Sequence, residues 1–235
     1  MGKQTEKELA ARVSARGQLT APCGVRTNLA SQLFLPAAKH FMQMSQHIED
    51  GQLSDRNLED RMHGLGCVLA SVSYVEGYIN SFYIMASDAS GIPNVAAAVC
   101  SKLANAWNHA IRDRRFSGPK ILSETLRKYH KAIVHVTGKD PDWPDGLLEA
   151  AEDLIMLRNQ LVHYGAYWPS ERPEDLQGFI ARMRTRFLPN PFYPEPENEF
   201  WPKGILGAGC ARWSVETAEA LVAWFKALVA ECSRT

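Results

Sequence analysis

The sequence predicts an all-α protein, an antiparallel helical bundle carrying a proline-rich loop and a C-terminal helix as decoration. Three observations lead there. Apolar residues recur at steps of three and four along most of the chain, and no stretch alternates with the period of a strand. Clusters of Gly, Pro and Asp, such as Asp88–Pro93 and Asp140–Gly146, separate these periodic runs. Hydrophobic residues make up 46% of the 235 positions and charged residues 22%, enough apolar surface for a sizeable core.

Taken in order, residues 1–28 are polar and read as an N-terminal arm, while 29–235 read as one helical domain. Pro36 opens a helix to about Ile48, which Gly51 follows. Ser54 and Asp55 are the expected caps of the next helix. Its stripe of Leu58, Met62, Leu65, Leu69, Val72, Val75, Ile79 and Phe82 carries it to about Ala86. Gly64, Gly66 and Gly77 within it point to close helix crossings or to a kink near Gly64. A helix from Asn94 to about Ile111 places Val95, Val99, Leu103 and Trp107 on one face. Another runs from Ile121 to Val136, with Gly138 beyond its end.

The most apolar helix starts near Pro144 and ends at Gly165. A short one spans Pro173 to Phe187. Residues 188–204 are too proline-rich for regular structure and are expected as a surface loop pinned by Phe192, Tyr193, Phe200 and Trp201. Ser214 is the expected cap of the last helix, whose face is Ala218, Leu221, Val222, Phe225, Leu228 and Val229.

Formal net charge is zero, so attraction to nucleic acid or membrane would have to be local. The five cysteines are scattered and odd in number, a pattern of reduced thiols rather than a disulfide framework. The chain opens on charged residues, and its apolar runs are broken well short of a membrane span. The reading is cytoplasmic, with no membrane partner. Phosphate-binding glycine loops, the His-Glu-x-x-His zinc pattern and the Gly-x-Ser-x-Gly elbow are all absent. None of the seven histidines falls at the i, i+4 spacing of paired ligands, so neither a metal nor another cofactor is expected.

Chemistry concentrates in Leu154–Gly165, where Arg158 and Asn159 interrupt an apolar helix and His163 follows one turn later. A buried guanidinium requires a partner. Asn159 and His163 lie about 40° apart around the helix, and Arg158 and His163 about 140°. Glu76 and Asn80 form a second polar spot, at i, i+4 on an earlier apolar helix. On these residues alone, a structural ion pair that ties helices together is the first reading.

The string Arg158-Asn-Gln-Leu-Val-His163 resembles the Arg-Asn-x-x-x-His signature of HEPN domains, helical domains common in prokaryotic toxin and phage-defence ribonucleases. Glu76-Gly-Tyr-Ile-Asn80 resembles the Glu-x-x-x-Asn segment of their long helix, and the likeness extends in element order over roughly residues 30 to 230. The resemblance implies a metal-independent endoribonuclease that cleaves single-stranded RNA, with Arg158, Asn159 and His163 as catalytic residues. Glu76, Asn80 and Tyr164 would support them. Glu76 either holds Arg158 in place or forms a buried salt bridge.

One chain supplies one motif histidine, and the family's two-fold dimers would supply the second. The implied partners are therefore a second copy of the chain, RNA, and an antitoxin or other defence-system protein. Members silenced by adenylylation carry a tyrosine two positions after the histidine, where this chain has Gly165. RNA contacts would fall to Arg112, Arg114, Arg115, Lys120, Arg127 and Lys128, with Arg182, Arg184 and Arg186 as a second basic stretch. Tyr78, Tyr83, Tyr164, Tyr167 and Trp168 are candidates for base stacking or for the core. The alternative is a non-catalytic dimeric module of the same type that binds RNA, a nucleotide or a protein partner.

Overall fold

The computed structural model describes residues 30–88, 91–113, 116, 119, 122–163, 173–193 and 200–232. Among them every regular element is helical, in keeping with the all-α bundle read from the sequence. The α-helices are α1 (Leu35–Asp50), α2 (Asn57–Ala86), α3 (Ala97–Asp113), α4 (Glu124–Thr137), α5 (Leu147–Val162), α6 (Glu174–Arg186) and α7 (Ala208–Cys232). Short wide turns at Ala30–Phe34 and Phe200–Gly204 lead into α1 and α7. The arm expected at 1–28 lies outside the described residues.

Helix α2 is the axis. Its 30 residues span about 45 Å, and α1, α3, α4, α5 and α7 all pack on it. Cys67, Val68, Ala70, Ser71, Val72, Tyr74 and Val75 are all buried, so its middle is enclosed on every side. Of the two expectations for its glycines, close crossing holds and the kink does not: α2 is unbroken. A Cβ at Gly64 would lie 3.1 Å from backbone atoms of Leu206 and Gly207, so a side chain there would push the chain before α7 back by a few tenths of an ångström.

Several helix ends differ from expectation, each for a physical reason. Ser54–Arg56 forms a tight turn of its own, and α2 starts at Asn57 without a side-chain cap. Asn94 sits at φ 63°, a left-handed conformation incompatible with entering a helix, so α3 begins three residues later. Ser123 caps α4 by accepting the Leu126 N–H, and Gly138 at φ 74° ends it as expected. Ser214 caps nothing. It is buried in the middle of α7 and donates to the Cys210 carbonyl at 2.8 Å. The first turn of α7 is capped from another helix, Glu49 Oε1 accepting the Ala208 N–H at 2.7 Å.

The C-terminal helix is more than decoration. Helix α7 packs against α1, α2, α4 and α5, and Ala218, Leu221, Val222 and Phe225 are almost wholly buried. Phe225 meets the rings of Phe82, Tyr129 and Tyr78 edge-on, at centroid distances of 5.0, 5.1 and 6.2 Å. The proline-rich stretch is likewise no simple surface loop at its described ends. Phe200 and Trp201 are buried, Trp201 edge-on to Phe179 of α6, because aromatic area of that size is worth removing from water.

Replacing Phe225 with Ala should cost about 3–5 kcal/mol, which corresponds to a melting temperature lower by about 6–20 °C. Thermal unfolding followed by circular dichroism measures it, and a shift below about 2 °C would deny α7 its central place.

Candidate functional site

Two polar residues of α2, Glu76 and Asn80, face α4 and α5. Glu76 and Asn80 stand one turn apart on α2, Thr125 and Lys128 about one turn apart on α4, and Arg158 projects from α5 to meet them. The Arg158 guanidinium donates to Glu76 Oε1 in an ion pair, and Thr125 Oγ1 donates to the same oxygen at 3.2 Å. Lys128 Nζ donates to Asn80 Oδ1 at 2.9 Å. The seam rests on apolar packing fixed by two tyrosines. Tyr129 donates to the Val75 carbonyl at 2.9 Å and Tyr83 to the Lys128 carbonyl at 3.0 Å.

Lys128 is enclosed as well as bonded. Its ammonium lies 5.6 Å from the Phe116 ring centroid and 5.7 Å from that of Trp107. Burial holds its pKa below the usual lysine value, against the upward pull of Glu124 and Glu76. Arg158 and Glu76 are each partly open, with side chains 25% and 35% exposed. The seam is therefore an internal charge network with one edge in water.

Asn159 and His163 are exposed on the opposite flank of α5, beside Met156 and Val162, which are 40% and 53% exposed. The helix turn explains the split: Arg158 and His163 project about 140° apart. His163 is the residue at which α5 stops, and its N–H donates to the Asn159 carbonyl at 2.9 Å. Of the residues singled out in the sequence, the fold brings together Glu76 with Arg158, and Asn80 with Lys128. It leaves Asn159 and His163 on a separate, solvent-facing surface. Tyr164, Tyr167 and Trp168 lie outside the described residues.

The basic residues divide in the same way. Arg114, Arg115 and Lys120 lie outside the described residues; Arg112 belongs to α3, and nothing further of it is described. Arg127 has its Nε buried with no hydrogen-bond partner among the described residues, and its charge acts on Glu152. The second basic stretch is structural. Arg182 and Arg186 of α6 bond both oxygens of buried Asp153 on α5, Arg186 also pairs with Glu149, and Arg184 lies over Phe200. Tyr83 is wholly buried and Tyr78 packs on Phe225, which assigns both to the core rather than to base stacking. Among the described residues no three His, Cys, Asp or Glu side chains converge as a metal-binding group.

Sequence reasoning missed Thr125 and the Trp107–Phe116 wall. Thr125 and Lys128 do share a helix face by their spacing, but nothing local shows that this face meets Glu76 and Asn80. Comparison with protein-family models, with curated proteins and with solved structures finds no match to this chain.

Glu76→Gln should destabilise the fold by about 1–2 kcal/mol, the lower part of the range for hydrogen bonds to charged groups, since both partners are partly exposed. In urea unfolding, a double-mutant cycle with Arg158→Met should give a coupling near 1 kcal/mol. Simple additivity of the two changes would mean the pair does not form in solution.

Proposed function

We propose that this chain is a metal-independent endoribonuclease of HEPN type, acting on single-stranded RNA through a composite site at a homodimer interface, in a cytoplasmic toxin or phage-defence role. The observation that carries the reading is the end of α5. There Glu76 holds Arg158, while Asn159 and His163 stand exposed on the opposite flank, with Met156 and Val162 exposed beside them. The motif resemblance supplies the reaction class, and the exposed flank supplies a surface on which a second copy would bring its own His163.

The chemistry is attack of a ribose 2′-hydroxyl on the adjacent phosphate, with departure of the 5′-oxygen. It needs a base for the hydroxyl proton, an acid for the leaving oxygen and positive charge at the crowded phosphate. One His163 acts as base and the partner copy's as acid. Arg158 contacts the phosphate through donors not used on Glu76, and Asn159 orients the histidine or the scissile group. Arg112, Arg114, Arg115 and Lys120 guide the strand, and an antitoxin or defence-system protein controls access.

A second reading has its own support. Arg158 is already neutralised by Glu76, and Lys128, Arg182 and Arg186 are spent on internal contacts. That favours a dimeric module binding RNA, a nucleotide or a protein without turnover.

Purified protein in EDTA should cut single-stranded RNA and leave 2′,3′-cyclic phosphate ends. His163→Ala should lower the rate by about 100-fold or more. RNA binding without cleavage would select the second reading, and cleavage undiminished in His163→Ala would remove His163 from the chemistry.

A further inference from the structure

Away from the candidate site, α1, α2, the 188–207 segment and the start of α7 meet at two carboxyl groups. Asp60 of α2 is fully buried. Its Oδ1 accepts from Ser45 of α1, and its Oδ2 from Asn190 Nδ2 at 2.7 Å. Asn190 is buried and fully used: Nδ2 also donates to the Leu206 carbonyl at 2.6 Å, Oδ1 accepts the Phe192 N–H at 2.9 Å, and its own N–H donates to Gly204 at 2.8 Å. Glu49 of α1 accepts the Ala208 N–H and is hydrogen-bonded to the Asp60 carboxyl. Two carboxyl oxygens can bond to each other only through a proton. The space is made to measure: a Cβ at Gly207 would fall 2.5 Å from Glu49 Oε1 and 3.0 Å from Asn190 Cβ.

Among the described residues neither Glu49 nor Asp60 makes an ion pair with Lys or Arg. Asp50 on α1 adds like charge at Glu49, His63 on α2 pulls Asp60 down against its burial, and Arg61, the neighbour of Asp60 on α2, lies over the Tyr193 ring at 4.9 Å. Lys203 in the segment and Arg212 on α7 are exposed, and Arg212 is bonded to Gln46.

We propose that Glu49 and Asp60 form a proton-held latch. One shared proton fastens residues 188–193, residues 200–207 and the start of α7 onto the α1–α2 pair, and losing it loosens them. The inference stands independently of the ribonuclease reading.

The direction with pH follows from the pair. Burial, then the charges of Asp60 and Asp50, raise Glu49 to about 7, against 4.5 for the ordinary side chain. Burial raises Asp60 as well. With the latch open, Glu49 regains its ordinary pKa, so the closed form holds more protons between 4.5 and 7. The closed form is accordingly most favoured below that window, loses ground as pH rises through it, and levels off above it.

Hydrogen exchange of the full chain tests this, with protection factors corrected for the intrinsic pH dependence of exchange. Between pH 5 and 8, protection of the Asn190, Phe192 and Ala208 amides should fall roughly 10- to 100-fold. Helix α4, remote from the latch in its bonding, should not follow. Glu49→Gln keeps the size and the acceptor for Ala208 and supplies a permanent donor to Asp60, so protection in it should stay high and flat across the range. Asp60→Asn, a second variant, should shift the fall toward lower pH. Protection that is flat with pH in the unmodified chain, or a pH dependence unchanged by Glu49→Gln, would overturn the latch.

Discussion

Helix α2 is buried on all sides through its middle, and that imposes one condition on everything around it. The polar side chains it carries there have little or no access to water, and Asp60, Glu76 and Asn80 each find partners on neighbouring elements. Asp60 finds Ser45 and Asn190, Glu76 finds Arg158 and Thr125, and Asn80 finds Lys128. These bonds reach α1, α4, α5 and the 188–207 segment, so the polar groups of one helix fix the placement of most others. The apolar face of α7 fills the remaining side. Hydrophobic burial gives the bundle its stability; the polar partners of α2 give it its register.

The same condition decides what was legible from the amino-acid sequence. Helix existence followed from apolar spacing, which depends only on each segment and its one buried face. The Glu76–Arg158 partnership was legible too, because a guanidinium in an apolar helix needs a carboxylate and Glu76 is the one set among apolar neighbours on the long helix. What failed was anything supplied from elsewhere in the fold. The start of α7 was misplaced because its cap, Glu49, lies far away in the sequence. Arg182 and Arg186 looked like a second basic stretch for RNA, since nothing beside them reveals buried Asp153. Lys128 looked like a phosphate contact until its aromatic wall and Asn80 were in place.

The two polar nodes of α2 solve the same burial problem in opposite ways. At Glu76 the carboxylate is paired with a guanidinium, Arg158, so its charge is balanced by a side chain and no shared proton is needed. At Asp60 the partners are a hydroxyl, an amide and a second carboxyl, and the charge balance is completed by a proton. A proton comes and goes near neutrality, whereas an arginine does not. The first node is therefore suited to constant positioning and the second to conditional attachment.

That contrast bears on how Arg158 can act. A guanidinium bonded to Glu76 through one nitrogen keeps further N–H donors, so it is held without being exhausted. Its net charge toward an incoming phosphate is nevertheless reduced by the carboxylate beside it. A phosphate at this site would be recognised by direction of donors more than by attraction at a distance, and the zero formal charge of the whole chain works the same way. A ribonuclease built on this site would thus select its substrate by fit at the end of α5, and a second copy that completed the site would add selectivity along with its histidine.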